Sequence, residues 1–160
     1  MTSKDKHDQY MALALAQADI ARTKSEVPVG AVLVVDDKII AMEHNTVIND
    51  NDPTAHAEVK CIRKAGVVLQ NYRIINSTLY TTLEPCPMCA STAIQARISK
   101  IVIGASDYKT GACGSVLSLH NHNSLNHEIE VDFGVKQDEC KKIITDFFKK
   151  IRLKKKIIKV

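Results

Sequence analysis

No apolar run in the chain approaches the ~20 residues that a membrane-spanning helix needs, so a membrane is not an expected partner. The first eight residues, Met1 to Asp8, are polar and carry no apolar signal region, so export is not expected. The five cysteines are an odd set, which suits a reducing compartment better than a disulfide framework. Internal repeats, linkers and abrupt composition changes are missing, and 160 residues are of single-domain size. These absences together lead to the expectation of a cytoplasmic protein whose residues 1–160 form one domain. What remains is ordinary for a globular chain, with 45% hydrophobic and 25% charged residues.

Charge is unevenly placed. The formal net charge is +4, yet residues 141–160 carry nine Lys or Arg and one Asp. A basic end on an acidic body suits an anionic polymer, nucleic acid first. A solvated helix face is the plainer account of the same charges, and charge alone does not decide between them.

Patterning predicts alternating elements. Met11, Ala14, Leu15, Ala18 and Ala21 give helical spacing over 8–24, with Pro28 as the stop. Residues 29–35 and 38–42 read as a hairpin turning at Asp36-Asp37, and 43–52 as a polar loop. A second helix is expected to start at Asp52-Pro53-Thr54 and to stop at Ala65-Gly66. Strands follow over 77–83, 99–104 and 128–133. A helix from Pro87 to about Arg97 lies between the first two, and a basic helix over about 136–160 closes the chain. Ile143, Ile144, Phe147, Phe148, Ile151 and Ile158 keep helical spacing there and read as a core stripe. The class is α/β.

One stretch concentrates chemistry. Cys86 and Cys89 follow a predicted strand and open a predicted helix, where unpaired N–H groups and the helix dipole favour thiolate. Two thiolates at this spacing are half of a tetrahedral zinc site. His56 stands early in the second predicted helix, and with the two cysteines it would make a three-ligand site open at the fourth position, the catalytic arrangement. Such a site lowers the pKa of bound water from about 16 towards 7. Glu58, two residues beyond His56, is placed to carry a proton to and from that water. A closed structural zinc needs a fourth ligand, for which Cys61, Cys113, Cys140 and five other histidines are available; Cys61 and Cys140 fall in predicted helices and suit packing. A redox pair needs neither a nearby His nor a nearby Glu and is less favoured. His-Ala-Glu followed some 27 residues later by Pro-Cys-Pro-Met-Cys is the joint signature of zinc nucleobase deaminases.

The chain resembles the bacterial tRNA-specific adenosine deaminases over nearly its whole length. The resemblance rests on residues 26–34, 52–58, Asn71-Tyr72-Arg73, 82–90, 107–112, Asn126-His127 and Asp146-Phe147-Phe148. It fades after about Arg152, and Leu119 to Leu125, Ser106 and Cys113 depart from the family pattern. It implies a cytidine-deaminase-like three-layer α/β/α fold with a five-stranded mixed sheet, one Zn2+ per chain, and a homodimer. The implied activity is hydrolysis of the wobble adenosine (position 34) to inosine in the anticodon stem-loop of a tRNA, with arginine tRNAs as the expected substrates, through zinc-bound hydroxide. Glu58 is then catalytic, and His56, Cys86 and Cys89 hold the metal. Val29, Asn45 and Leu83 correspond to residues around the base, although core packing and a turn role are the alternatives. Asp107 corresponds to a ribose contact and Lys109 lies beside it; Asn126 and Phe148 correspond to contacts with anticodon-loop bases. Free-base or nucleotide deamination of guanine, cytosine or deoxycytidylate is the rival enzyme reading. A non-catalytic, zinc-stabilised RNA-binding module is the rival of another class.

Overall fold

The computed structural model describes residues 1–158, so Lys159 and Val160 of the expected basic helix lie outside it. In chain order the elements are α1 (Ser3–Thr23), β1 (Gly30–Val35), β2 (Lys38–His44), α2 (Ala57–Leu69), β3 (Ser77–Leu83), α3 (Pro87–Gln95), β4 (Lys100–Ala105), β5 (Glu130–Phe133) and α4 (Gln137–Ile158). The strands form one five-stranded sheet in the order β2-β1-β3-β4-β5. β1 runs antiparallel to both β2 and β3, while β3, β4 and β5 are parallel, so the sheet is mixed.

Alternation along the central strands explains the layers. Val29, Ala31, Leu33, Leu79, Ile101 and Ile103 face a core built with Cys61, Ile62 and Ala65 of α2 and Ala90, Ala93 and Ile94 of α3. Their neighbours Val32, Val34, Tyr80 and Val102 face the opposite core, with Met11 and Ala14 of α1 and Cys140 of α4. Successive strand side chains point to opposite faces, so a near-continuous apolar run is what a sheet covered on both sides requires. The three-layer α/β/α expectation holds. α1 sits closest at Gly30, where any Cβ would overlap the Ala14 carbonyl oxygen, and the small residues Ala14, Ala18 and Ala21 permit that approach.

Several boundaries differ from expectation for local physical reasons. α1 begins at Ser3, five residues early, because Thr2 and Asp5 form a reciprocal capping box. At the hairpin turn, Asp36 and Asp37 take φ of 49° and 62°, the left-handed pair that a two-residue connection favours. Asp52 does not cap α2; it closes a turn on Thr54, whose N–H and hydroxyl both donate to it. α2 starts at Ala57 and continues through Gly66, and Gln70 in the left-handed region ends it. Arg97 lies beyond α3 and donates to the Ile94 carbonyl at 3.0 Å. The stripe on α4 is core only in part: Ile144 packs against the core and Phe147 is half-buried, but Cys140 is the helix's only fully buried residue among the described residues and Phe148 is 40% exposed.

Candidate functional site

Two helix N-termini meet at one end of the sheet. Pro87 occupies the first turn of α3, where its missing N–H costs nothing, and Cys86 is the N-cap with Cys89 one turn on. His56 is the N-cap of α2, but its imidazole does not cap. Asn45 does that work from the loop after β2, its Oδ1 accepting from the Ala57 N–H at 2.8 Å, which leaves the ring of His56 available.

His56 Nδ1 then lies 3.7 Å from Cys86 Sγ and 3.4 Å from Cys89 Sγ, and the two sulfurs are 3.6 Å apart. Metal–ligand bonds of about 2.3 Å to sulfur and about 2.0 Å to nitrogen put tetrahedral ligand–ligand edges at about 3.5 to 3.8 Å. The donor set and its spacing fit zinc. Among the described residues this is the one metal-competent group of three or more. Cys61 donates to the Ala31 carbonyl and Cys140 packs against the opposite face of the sheet, so neither closes the site. The arrangement is open rather than structural.

Charge follows from these contacts. The Cys86 thiol is held at about 4 by hydrogen bonds from Cys89 and His56, and the adjoining sulfur in turn raises His56 above the usual imidazole range. Cys89, buried beside Cys86 and Glu58, is pushed up.

Glu58, on the first turn of α2, is 3% exposed, and burial raises its carboxyl above the ordinary range. Its Oε2 is 3.3 Å from Cys89 Sγ and its Oε1 is 2.8 Å from Thr81 Oγ1. Thr81 Oγ1 also lies 2.9 Å from the Leu83 carbonyl. One hydroxyl proton serves both arrangements: it turns to Glu58 when the carboxylate is charged and to Leu83 when Glu58 carries the proton.

A pocket of about 270 Å³ opens onto this cluster. Val29, Asn45, Leu83 and Asp107 line it together with His56, Glu58 and Cys86. Val29 also belongs to the core, so packing and lining coincide there. The Asp107 carboxylate accepts from the Lys109 and Thr110 N–H groups and the Thr110 hydroxyl, and so shapes its own loop at the pocket's edge. Lys109, Asn126 and Phe148 are exposed and lie outside the lining; Phe148 stacks edge-on against Phe147 at 5.5 Å.

Two buried carboxylates escaped the sequence reading. Glu84, 2% exposed, accepts from the N–H groups of Asp107, Cys113 and Ser115, each at 3.1 Å, and from the Ser115 hydroxyl. A Cβ on Gly111 would overlap its carboxylate. Glu26, 1% exposed, accepts from Ile48 and Asn49 at 2.8 and 3.2 Å and fixes the opposite wall. The available signal was an acidic residue beside an apolar strand run, a costly position unless the carboxylate is fully hydrogen-bonded. Glu84→Ala is expected to free the 107–115 loop, since it removes several charge-assisted bonds worth roughly 1.5 to 3 kcal/mol each. Hydrogen exchange at the Cys113 amide measures it: exchange should quicken by at least 10²-fold while α2 amides keep their protection.

Comparison with known proteins agrees with this geometry. Residues 4–105 match the family described as the cytidine and deoxycytidylate deaminase zinc-binding region. The tRNA-specific adenosine deaminase of Haemophilus influenzae is 48% identical over 153 residues, covering 95% of this chain and 88% of the relative. A solved structure from work on A-to-I editing by tRNA:A34 deaminases superposes with a TM-score of 0.82 at 41% identity, covering 84% of this chain and 98% of that one. A guanine deaminase from Bacillus subtilis, also 41% identical, superposes at 0.60 and covers 62% of this chain and 64% of its own. The chain belongs to the zinc-binding cytidine and deoxycytidylate deaminase family, within its tRNA-specific adenosine deaminase branch.

Proposed function

We propose that this chain hydrolyses adenosine to inosine at the wobble position of a tRNA anticodon, acting in the cytoplasm as a single-domain homodimer. The observation that carries the reading is a three-donor centre left open beside a buried carboxylate, at the base of a pocket of about 270 Å³. That volume lies just below the range of about 300 to 1,000 Å³ typical of drug-sized ligands, and suits one base rather than a whole nucleotide. A base inside a stack cannot enter such a pocket, so the substrate must be splayed out.

His56, Cys86 and Cys89 would hold zinc, which when bound supplies a Lewis acid that makes water nucleophilic at neutral pH. Glu58 takes a proton from that water and delivers it to N1 of adenine, which makes C6 electrophilic. As the C6–O bond forms, Glu58 takes the remaining proton of the new C6 hydroxyl and passes it to the exocyclic nitrogen, and the C6–N bond breaks to release ammonia and leave a C6 carbonyl beside N1–H. Burial favours the protonated form of Glu58, so the carboxyl can hold the proton between the two transfers. Thr81 fixes Glu58 in either protonation state. Asn45 presents its amide to the base, Val29 and Leu83 border the plane of the ring, and the Asp107 loop receives the neighbouring nucleotide.

The similarity to a guanine deaminase favours free-base chemistry as the second reading. Against it, the structure from work on tRNA:A34 deaminases covers 84% of the chain at a TM-score of 0.82, whereas the guanine enzyme covers 62% at 0.60. Steady-state selectivity tests the choice: kcat/KM for an anticodon stem-loop bearing wobble A should exceed that for guanine, cytosine or deoxycytidylate by at least 10³-fold. The reverse order would overturn the proposal.

A further inference from the structure

One threonine sits among neighbours that would suit a valine. Thr81 is fully buried on β3, in register with Ala31 of β1 and Ile103 of β4, and Leu79 and Leu83 share its face of the strand. Ala31, Ile103 and Leu79 belong to the aliphatic core beneath α2 and α3, and Leu83 packs against it. A β-branched side chain favours a strand, but valine offers that shape without a hydroxyl. A buried hydroxyl is costly unless it is hydrogen-bonded, so its partners explain its presence. Two acceptors flank Oγ1: Glu58 Oε1 at 2.8 Å and the Leu83 carbonyl at 2.9 Å. The second is local to the strand. The first lies on α2, 23 residues upstream.

Glu58 depends on this hydroxyl more than the distances alone suggest. Among the described residues, two side chains hydrogen-bond to its carboxyl: Thr81 at Oε1 and Cys89 at Oε2, the latter at 3.3 Å. A cysteine that holds metal does so as a thiolate and has no proton to donate. The bond from Cys89 is therefore lost once the donors are loaded, and Thr81 is left as the side-chain donor that fixes the carboxyl. The last torsion of a glutamate is broad and roughly two-fold, so a carboxyl held at neither oxygen turns between orientations. Tying Oε1 to β3 leaves Oε2 on the side of the metal donors.

We propose that Thr81 is a positioning residue for the deamination: its hydroxyl anchors Glu58 through Oε1, so that Oε2 faces the metal donors and the base and carries the proton transfers. This deepens the reading of Glu58 as the proton carrier and rests on it. Thr81 neither lines the pocket nor belongs to the metal-competent group, so it acts through Glu58 alone. Its loss should slow the chemical step without weakening substrate binding, because orientation of a proton carrier counts in the transition state.

The test compares zinc-loaded wild type with Thr81→Val, Thr81→Ser and Glu58→Gln. Single-turnover rates are read in parallel on the wobble-A stem-loop and on free guanine, so that a wrong choice of substrate is not mistaken for a wrong role of Thr81. On whichever is turned over, Thr81→Val should lower the rate about three- to tenfold, the contribution of one hydrogen bond. KM and zinc content should be unchanged. The melting temperature should stay within about 4 °C of wild type, since the methyl added to the core offsets the bond lost by Oε1. Thr81→Ser restores the hydroxyl and should recover most of the rate. Crystal structures of the zinc-loaded proteins give a readout apart from activity: a single carboxyl orientation with Oε1 on Thr81 in wild type, and a turned or divided one in Thr81→Val. Glu58→Gln checks the underlying reading, because turnover retained there removes Glu58 from the mechanism and this proposal with it. A Thr81→Val rate equal to wild type, a loss that serine does not recover, or an unaltered Glu58 orientation overturns the role of Thr81 and leaves that of Glu58 in place.

Discussion

Glu58→Gln is expected to lower the rate of deamination by roughly 10³-fold or more while zinc content and RNA affinity stay at wild-type levels. The substitution preserves volume in a site that is 3% exposed, and the amide oxygen can still accept the Thr81 hydroxyl proton 2.8 Å away. What disappears is the only titratable oxygen pair, among the described residues, that reaches the metal cluster without being one of its three donors. An amide can neither take a proton from water nor return one to nitrogen. Stability should not fall, because the substitution removes a desolvated carboxyl whose charged form is disfavoured by burial. Single-turnover kinetics on a stem-loop, with metal analysis of the same preparation, measures all of this together. The RNA-binding-module reading makes the opposite prediction, that the variant keeps every biological activity. Retained turnover would remove Glu58 from the mechanism.

Loss of a metal donor is the second large effect. Cys86→Ala is expected to bring zinc from about one per chain to below about 0.1 and to abolish activity, because His56 and Cys89 alone offer two donors where a catalytic site needs three. The fold should survive. The cores above and below the sheet are built mainly from aliphatic residues, and none of the three donors belongs to them. The melting temperature should drop only by the binding energy that zinc adds to the native state, and chelation of wild type should reproduce that drop. Cys61→Ala is the control. Cys61 is fully buried, but it donates to Ala31 rather than to the metal cluster, so this variant should lose some stability and keep its zinc. Elemental analysis separates the two cysteines, and an active Cys86→Ala protein without zinc would contradict the metal assignment.

The metal centre was legible because chemistry restricts residue type. Few sequences place His-x-Glu ahead of Pro-Cys-x-x-Cys by accident, and zinc accepts few ligands. Strand β3 was legible over its full length, 77–83, since a buried central strand flanked by polar residues admits little slippage. Helix starts were harder. Asp52-Pro53-Thr54 carries every local sign of a cap, yet Asn45, twelve residues upstream of Ala57, supplies it, and a cap that arrives across space leaves no local trace. The same reason hid Glu84 and Glu26, whose bonds go to loops 22 to 31 residues away. On α4, periodicity promised burial that the chain provides only in part; Ile144 packs against the core, while Phe148 remains 40% exposed. Helical spacing states that one face is apolar, not which molecule covers it.

The two walls of the pocket share one design. Each is a loop tied to a buried carboxylate, Glu26 for residues 48–49 and Glu84 for 107–115, so the pocket is shaped before substrate arrives. Pre-formed walls lower the ordering cost of binding and leave it to the RNA, whose loop must open to present one base.

The most direct measurement follows the product at a single nucleotide. Zinc-loaded protein is incubated with an anticodon stem-loop that carries one adenosine at the wobble position and others elsewhere in the loop. The RNA is then digested to nucleosides and mapped by mass spectrometry. Inosine is expected at the wobble position alone, with ammonia released in equal amount. Intact adenosine at that position, from protein that holds one zinc per chain and turns over free guanine or cytosine, would contradict the assignment of tRNA as substrate.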